Sequence, residues 1–117
     1  MGFKFERLEV WQRSIDLSSA IHDLTRNFPK EELYVLTSQI KRAADSIALN
    51  IAEGSTGQTN LEFRKFLGYA IRSGMELVTC LYIGKRRQII EEPEFNRLYS
   101  DTESIIRMSQ ALRKSLN

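Results

Sequence analysis

The stretch from Leu36 to Gly54 reads LTSQIKRAADSIALNIAEG and decides the fold. Apolar or small residues recur in it at alternating spacings of three and four. Counted from the leucine one turn earlier, this seam consists of Leu33, Leu36, Ile40, Ala43, Ile47, Asn50 and Gly54. Such a pattern keeps one face of a helix against a partner helix along the whole segment. The stretch therefore predicts a helix of a tightly packed bundle.

Three other segments repeat this pattern, and turn residues separate them. Pro29 ends the first helix, because proline disfavours helical geometry at the residue before it. Thr59 and Glu62 match a capping box, in which each side chain is expected to satisfy the other's free amide, and Pro93 opens the last helix. The predicted helices cover residues 9–27, 30–55, 59 to 87 or 88, and 93 onward.

Helix lengths and connections then predict the architecture. Short connections force successive helices to run antiparallel, and 117 residues is close to the commonest size of one domain. We therefore expect an all-α protein, an antiparallel up-down-up-down four-helix bundle, with a single domain over residues 1–117. Small residues further predict a close approach of the second and third helices, and they are Ala43, Ala44, Ser46, Ala48, Gly68, Ser73 and Gly74.

The bulk composition excludes several classes of protein. A net charge of +2 is too small to indicate a nucleic-acid partner by itself, although the segment from Ser38 to Ile90 is the positive part of the chain. The apolar runs are far shorter than the roughly 20 residues that a membrane-spanning helix needs. The N-terminus lacks the pattern of a secretory signal, and Cys80 is the only cysteine. We expect a cytoplasmic protein without membrane contact.

Catalytic chemistry has no recognisable motif in this sequence. His22 is the only histidine and lies on a different predicted helix from Cys80, so no nucleophile with an oriented base is indicated. A di-iron site in a helical bundle needs two Glu-x-x-His units, but Ser19 stands where His22 would need a glutamate. The sequence predicts no enzyme activity, no catalytic residues, no metal and no cofactor.

Two polar residues end the seam of the second helix. Asn50 occupies a seam position, where an amide costs stability unless it finds partners, and Glu53 lies one turn later. The structural interpretation is that Asn50 and Glu53 hydrogen-bond the following loop and the neighbouring helix ends. A ligand site is the alternative.

A second apolar line runs along the third helix, to one side of its seam. It consists of Ile71, Met75, Val78 and Tyr82. Soluble monomers seldom leave long apolar lines exposed, so we interpret this line as a surface for self-association. The alternative is a wide core-facing stripe within one chain.

Basic residues with an interleaved aromatic mark the opposite face of the third helix. Cations can follow a phosphate backbone while a ring stacks on a base, whereas most charge rows are only solvated surface. The candidate nucleic-acid footprint, with two outward-facing residues of the second helix, is Lys41, Arg42, Lys65, Tyr69, Arg72 and Arg86.

Taken together, several segments resemble the 23S ribosomal RNA intervening-sequence protein family. They include Leu8-Glu-Val-Trp-Gln12, Asn27-Phe-Pro-Lys-Glu-Glu32, residues 36–54, residues 63–77 and the last helix with Phe95. The resemblance implies a bacterial, non-catalytic four-helix bundle that forms a ring-like homo-oligomer, commonly a pentamer. A similar protein is the accessory variability protein of diversity-generating retroelements, whose basic surfaces are thought to contact nucleic acid. The rival hypothesis is a protein-interaction scaffold or accessory factor that does not bind nucleic acid.

Overall fold

The computed structural model describes residues 2–117 and contains four α-helices. They are α1 (Glu9–Thr25), α2 (Ser38–Ser55), α3 (Asn60–Arg86) and α4 (Glu92–Ser115). No strand occurs within residues 2–117, so the predicted all-α helical bundle is confirmed. In this part of the chain no helix is long and apolar enough to cross a membrane.

Contacts between helices show how they are arranged along a rod of 43 × 22 × 21 Å. Ser46 and Ser73 meet near the middle of α2 and α3, while Gly54 at the end of α2 lies against Phe63 at the start of α3. At the other end of α3, the rings of Tyr82 and Phe95 are 5.0 Å apart. These pairings are those of antiparallel neighbours, and they bring the start of α3 and the end of α4 to the same end of the rod.

The segment before α2 differs from the single helix predicted over residues 30–55. Lys30–Glu32 form a 3-10 turn and Leu33–Thr37 a π-helix, before the α-helix begins at Ser38. A π-helix has more residues per turn than an α-helix, so it rotates the preceding residues away from the seam. Leu33, the first predicted seam residue, is accordingly 50% exposed. The residues of the seam from Leu36 onward are buried, except for Asn50.

The turn between α2 and α3 follows the predicted capping chemistry only in part. Thr59 caps α3, because its Oγ1 accepts a hydrogen bond from the amide of Glu62 at 3.1 Å. The reciprocal bond is different from the predicted one, since Glu62 Oε1 accepts from the amide of Gln58 at 3.3 Å. The glutamate therefore stabilises the turn before the cap, and α3 still begins at the predicted place.

Glycines set the distance between helices at two places. A Cβ atom on Gly54 would lie 2.6 Å from Cβ of Phe66, so α2 and α3 approach closely there. A Cβ atom on Gly74 would lie 2.7 Å from Cγ1 of Ile106 on α4. Gly74 therefore makes room for α4, which corrects the prediction that it serves the contact between α2 and α3. Gly68 also faces α4, where only Arg113 comes within 4 Å of its Cβ position.

Candidate nucleic-acid interface

A basic groove lies between the first half of α3 and the end of α4. It is lined by Leu61, Arg64, Lys65, Gly68, Tyr69, Arg72 and Arg113. Lys114 lines an adjoining depression that shares Arg64, Gly68 and Arg113 with the groove. The antiparallel packing of α3 and α4 creates this group, because it places residues about fifty positions apart in sequence on one surface. Three members of the predicted footprint, Lys65, Tyr69 and Arg72, already share one face of α3, and the packing adds Arg113 to them.

Two arginines, one on each helix, form the centre of the groove. Nε of Arg113 donates a hydrogen bond to the carbonyl oxygen of Arg64 at 3.0 Å. Nε of Arg64 is buried, and no atom of residues 2–117 accepts a hydrogen bond from it. Arginine side chains from both helices favour an anion at this groove, because a guanidinium fork presents donors suited to phosphate or carboxylate oxygens.

The cations of the groove have no acidic partners. Within residues 2–117, no carboxylate lies within 4 Å of Arg64, Lys65, Arg72, Arg113 or Lys114. The ion pairs that the fold does form involve other residues, such as Arg13 with Glu9 and Arg107 with Glu103. The positive charge of the groove is therefore uncompensated locally, which raises the concentration of anions near it.

An aromatic pair borders the cations. The rings of Phe66 and Tyr69 pack edge to face with centroids 5.5 Å apart, and Nζ of Lys65 lies 5.8 Å from the Phe66 centroid. Tyr69 is 40% exposed, so part of its ring is open to solvent beside the cations. The sequence analysis expected Tyr69 between Lys65 and Arg72 on this face, and Phe66 is an addition that it did not name.

The other members of the predicted footprint lie elsewhere. Arg86 lines a separate groove near the end of α3 with Tyr82 and Arg87. On α2, Arg42 donates to Oγ of Ser38 at 2.9 Å, and Lys41 is half-buried. Sequence reasoning also missed Arg113 and Lys114, because nothing local in α4 shows that its last turns reach α3.

The apolar line predicted for self-association lies along the edge where α4 packs on α3. Ile71 and Val78 are partly buried, whereas Met75 and Tyr82 are 50% and 53% exposed. Tyr82 is still about half exposed, although its ring packs edge to face on Phe95 and near Tyr99. The apolar line is therefore partly covered within this chain and partly open to solvent.

Asn50 has partners different from those predicted, whereas Glu53 bonds the following turn through its backbone. Nδ2 of Asn50 donates to the carbonyl oxygen and to Oγ of Ser46, at 2.8 and 3.0 Å, and Oγ of Ser73 donates to the same Ser46 hydroxyl at 2.9 Å. Asn50 is therefore tied to α3 through Ser46 and does not reach the loop. Glu53 is exposed, and its backbone carbonyl accepts bonds from Thr56 in the turn that ends α2.

His22 meets a carboxylate and a serine, but not in a catalytic order. Its Nε2 lies 3.2 Å from Oδ1 of Asp45, and Oγ of Ser18 donates to the same oxygen at 2.5 Å. The carboxylate stands between the two groups, so the imidazole cannot take a proton from the serine as it does in a Ser-His-Asp triad. Cys80 is buried, and burial, with a smaller effect from the charge of Glu76, raises the pKa of its thiol to about 11.

Comparison with known proteins agrees with this fold. A crystal structure of a protein with unknown function, from the S23 ribosomal protein family of Bacteroides thetaiotaomicron, superposes with a TM-score of 0.84. It is 24% identical and covers 90% of this chain and 95% of that chain, a likeness that shows the fold alone. No curated protein matches the chain.

The family model of the 23S rRNA-intervening sequence proteins matches residues 6–111. This match spans nearly the whole sequence and confirms the resemblance noted from its segments. The chain therefore belongs to the 23S rRNA-intervening sequence protein family.

Proposed function

We propose that this protein is a non-catalytic, ring-forming bundle that contacts the phosphate backbone of a nucleic acid through the groove between α3 and α4. The observation that carries the proposal is the set of five cations around this groove, none of which has a carboxylate within 4 Å among residues 2–117. A polyanion restores the missing counter-charge, and each neutralised phosphate releases a bound cation to solution. Such contact would take place in the cytoplasm with RNA or DNA.

Self-assembly would multiply this contact. Met75 and Tyr82, on α3, expose about half of their surfaces, and such apolar side chains favour burial against a second copy. A ring of copies, a pentamer as the family resemblance implies, would repeat the basic groove around its circumference. Several weak phosphate contacts would then act together on one long strand.

Salt-dependent binding tests the nucleic-acid proposal. We expect the wild-type protein to bind an unstructured RNA with an affinity that falls steeply between low and moderate salt. The double variant Lys65→Gln, Arg72→Gln should bind more weakly, and its slope of log affinity against log salt should shrink by about 0.7 for each lost contact. Lys30→Gln with Arg97→Gln removes the same charge from exposed positions outside the groove and should change little. Binding that stays flat across this salt range would refute the proposal.

Light scattering at micromolar concentration tests the assembly. The wild-type mass should be a multiple of the 13.6 kDa chain, five times if the ring is a pentamer. Met75→Glu places a charge on the exposed part of the line and should yield a smaller species with unchanged helix content. A monomeric wild-type protein would contradict this part of the proposal.

The rival function is a protein-interaction scaffold without nucleic-acid binding. One observation favours it, namely the three consecutive exposed apolar residues of the π-helix, Leu33, Tyr34 and Val35, of which Tyr34 is 89% exposed. π-helices occur frequently at functional sites. If the scaffold function is correct, neither the wild-type protein nor the double variant Tyr34→Ser, Val35→Ser should bind RNA. The double variant should also lose the protein partner that the wild type captures.

A further inference from the structure

The end of α3 carries a second surface, far from the basic groove, which we call the terminal groove. Its ring of Tyr82 is half exposed, and Nζ of Lys85 lies 4.5 Å from the centroid of the neighbouring Phe95 ring. An apolar centre with a charged rim is typical of a surface that contacts another protein, and such a surface does not need depth. The terminal groove is lined by Thr79, Tyr82, Ile83, Lys85, Arg86, Arg87 and Gln88.

The cations of the terminal groove are only partly compensated. Nη1 of Arg87 lies 3.4 Å from Oε1 of Glu32, at the start of the segment that leads into α2. In contrast, no carboxylate of residues 2–117 lies within 4 Å of Lys85 or Arg86. A partner of this surface should therefore bring apolar side chains together with negative charge.

The π-helix before α2 presents a segment with these two properties. Its three exposed apolar residues, which we call the apolar trio, are Leu33 at 50%, Tyr34 at 89% and Val35 at 55% exposure. The preceding turn, Lys30–Glu32, carries a net charge of −1, whereas residues 85–87 carry +3. Glu31 is exposed, and no cation of residues 2–117 lies within 4 Å of its carboxylate. The trio and the terminal groove are therefore complementary in polarity and in charge.

The contact between Arg87 and Glu32 also fixes the relative height of the two surfaces. It places the start of the trio's segment beside the terminal groove, at the same end of the rod. The trio does not cover the groove of its own chain, since Tyr34 is almost fully exposed. If parallel copies join trio to groove, no shift along the rod accumulates from copy to copy. Repeated contacts of this kind close into a ring, whereas a shift at each step gives a filament.

We propose that the apolar trio of one copy packs on the terminal groove of a second copy, with Glu31 facing Lys85 and Arg86 across the contact. This inference rests on the proposed self-assembly and names the two surfaces that form it. The basic groove stays free, because Arg72 and Arg86 are about 21 Å apart along α3 at the standard rise. Assembly and nucleic-acid contact would thus use opposite ends of the same helix.

A charge swap tests the pairing across the contact. Glu31→Arg and Arg86→Glu each place like charges opposite one another and should raise the dissociation constant of the assembly by about tenfold in sedimentation velocity. Both substitutions in one chain restore opposite charges and should return the dissociation constant close to the wild-type value. Glu53→Arg, an exposed carboxylate near the other end of α2, is the matched control and should change little.

Removal of the aromatic side chain tests the apolar part of the contact. Tyr34→Ser should weaken assembly by about tenfold or more, because tyrosine at a protein contact commonly contributes this much. Its helix content by circular dichroism should be unchanged, since the side chain is almost fully exposed. Leu49→Ser, at 66% exposure on α2, is the control. A short RNA of about 8 nucleotides occupies a single copy and should bind Tyr34→Ser as it binds the wild type.

The results separate this inference from the proposal on which it rests. A monomeric wild-type protein would remove both. If the wild type assembles and neither Tyr34→Ser nor the single charge reversals weaken it, assembly stands and the inference is overturned. The inference is also overturned if the Glu31→Arg, Arg86→Glu double variant recovers nothing. Loss of a different protein partner in Tyr34→Ser, with assembly unchanged, would assign the trio to that partner and likewise overturn it.

Discussion

The amide of Ile89 donates a hydrogen bond to the carbonyl oxygen of Gly84 at 2.8 Å and closes the last turn of α3. The amide of Gln88 completes the motif by donating to the carbonyl oxygen of Lys85 at 3.0 Å. Between these bonds the backbone of Gln88 is left-handed, with a φ of 62°. This is the Schellman arrangement, whose left-handed position is usually filled by glycine because a Cβ atom is unfavourable there.

Gln88→Gly should therefore stabilise the protein. The substitution relieves the left-handed strain, which exceeds the entropy that glycine gains in the unfolded chain, and we expect about 0.5–1 kcal/mol more free energy of unfolding. Urea denaturation followed by circular dichroism measures the change. Arg87→Gly is the control, because Arg87 has a right-handed φ of −82° and glycine there should lower stability. Equal effects at the two positions would refute this explanation.

Two glycines of α3 should respond oppositely to alanine. Gly74→Ala places a methyl group about where Ile106 already lies, and the resulting overpacking should cost about 1–3 kcal/mol. Gly68→Ala meets only ordinary contacts and should gain about 0.5–1 kcal/mol from helix propensity. Urea unfolding of both variants gives the comparison. Combining Gly74→Ala with Ile106→Val should recover part of the loss, and no recovery would argue against the clash.

The serine pair between α2 and α3 allows a test of an interhelical hydrogen bond. Ser46→Ala removes the hydroxyl that accepts from Ser73, so a half-buried group loses its partner, at a cost of about 1 kcal/mol. Ser46→Ala with Ser73→Ala removes both groups and should return close to wild-type stability, because alanine also favours helix. Thermal melts of these two variants and of Ser73→Ala alone, each compared with wild type, measure the losses. A double variant that simply adds two losses would speak against the bond.

Cys80 should make the free energy of unfolding depend on pH in the alkaline range. Its pKa is about 11 in the folded protein, raised from 9.0 by burial and the charge of Glu76. Below pH 9 the thiol is protonated in both states and contributes no pH dependence. Between pH 9 and 11 the unfolded thiol ionises first, so the free energy of unfolding decreases as the pH rises. The difference between wild type and Cys80→Ala, from urea unfolding at several pH values, isolates this effect from lysine titration. Parallel pH profiles would contradict it.

The periodicity of the sequence was sufficient to predict the helices of the fold. Helical seams are local patterns, and Ile40, Ile47, Leu67 and Leu81 are fully or almost fully buried where those patterns placed them. The π-helix before Ser38 could not be predicted in this way, because spacings of three and four do not distinguish a π-turn from an α-turn over so few residues. Its consequence, the exposure of Leu33, therefore differs from the expectation.

The candidate site was predictable only where its residues are neighbours in sequence. Lys65, Tyr69 and Arg72 lie on one face of one helix, and their spacing alone groups them. Arg113 joins them through the antiparallel contact of α3 and α4, a tertiary relationship that no local pattern encodes. Arg86, which the sequence grouped with these residues, is about 21 Å from Arg72 along the same helix at the standard rise and lines another groove.

The close contacts at Gly54 and Gly74 have an evolutionary consequence. At Gly54 the added carbon would meet Cβ of Phe66, which no change of rotamer can move, and at Gly74 it would meet Cγ1 of Ile106, whose side chain would have to repack. A library of random variants selected only for folding should lose diversity at these two positions and keep it at Gly68.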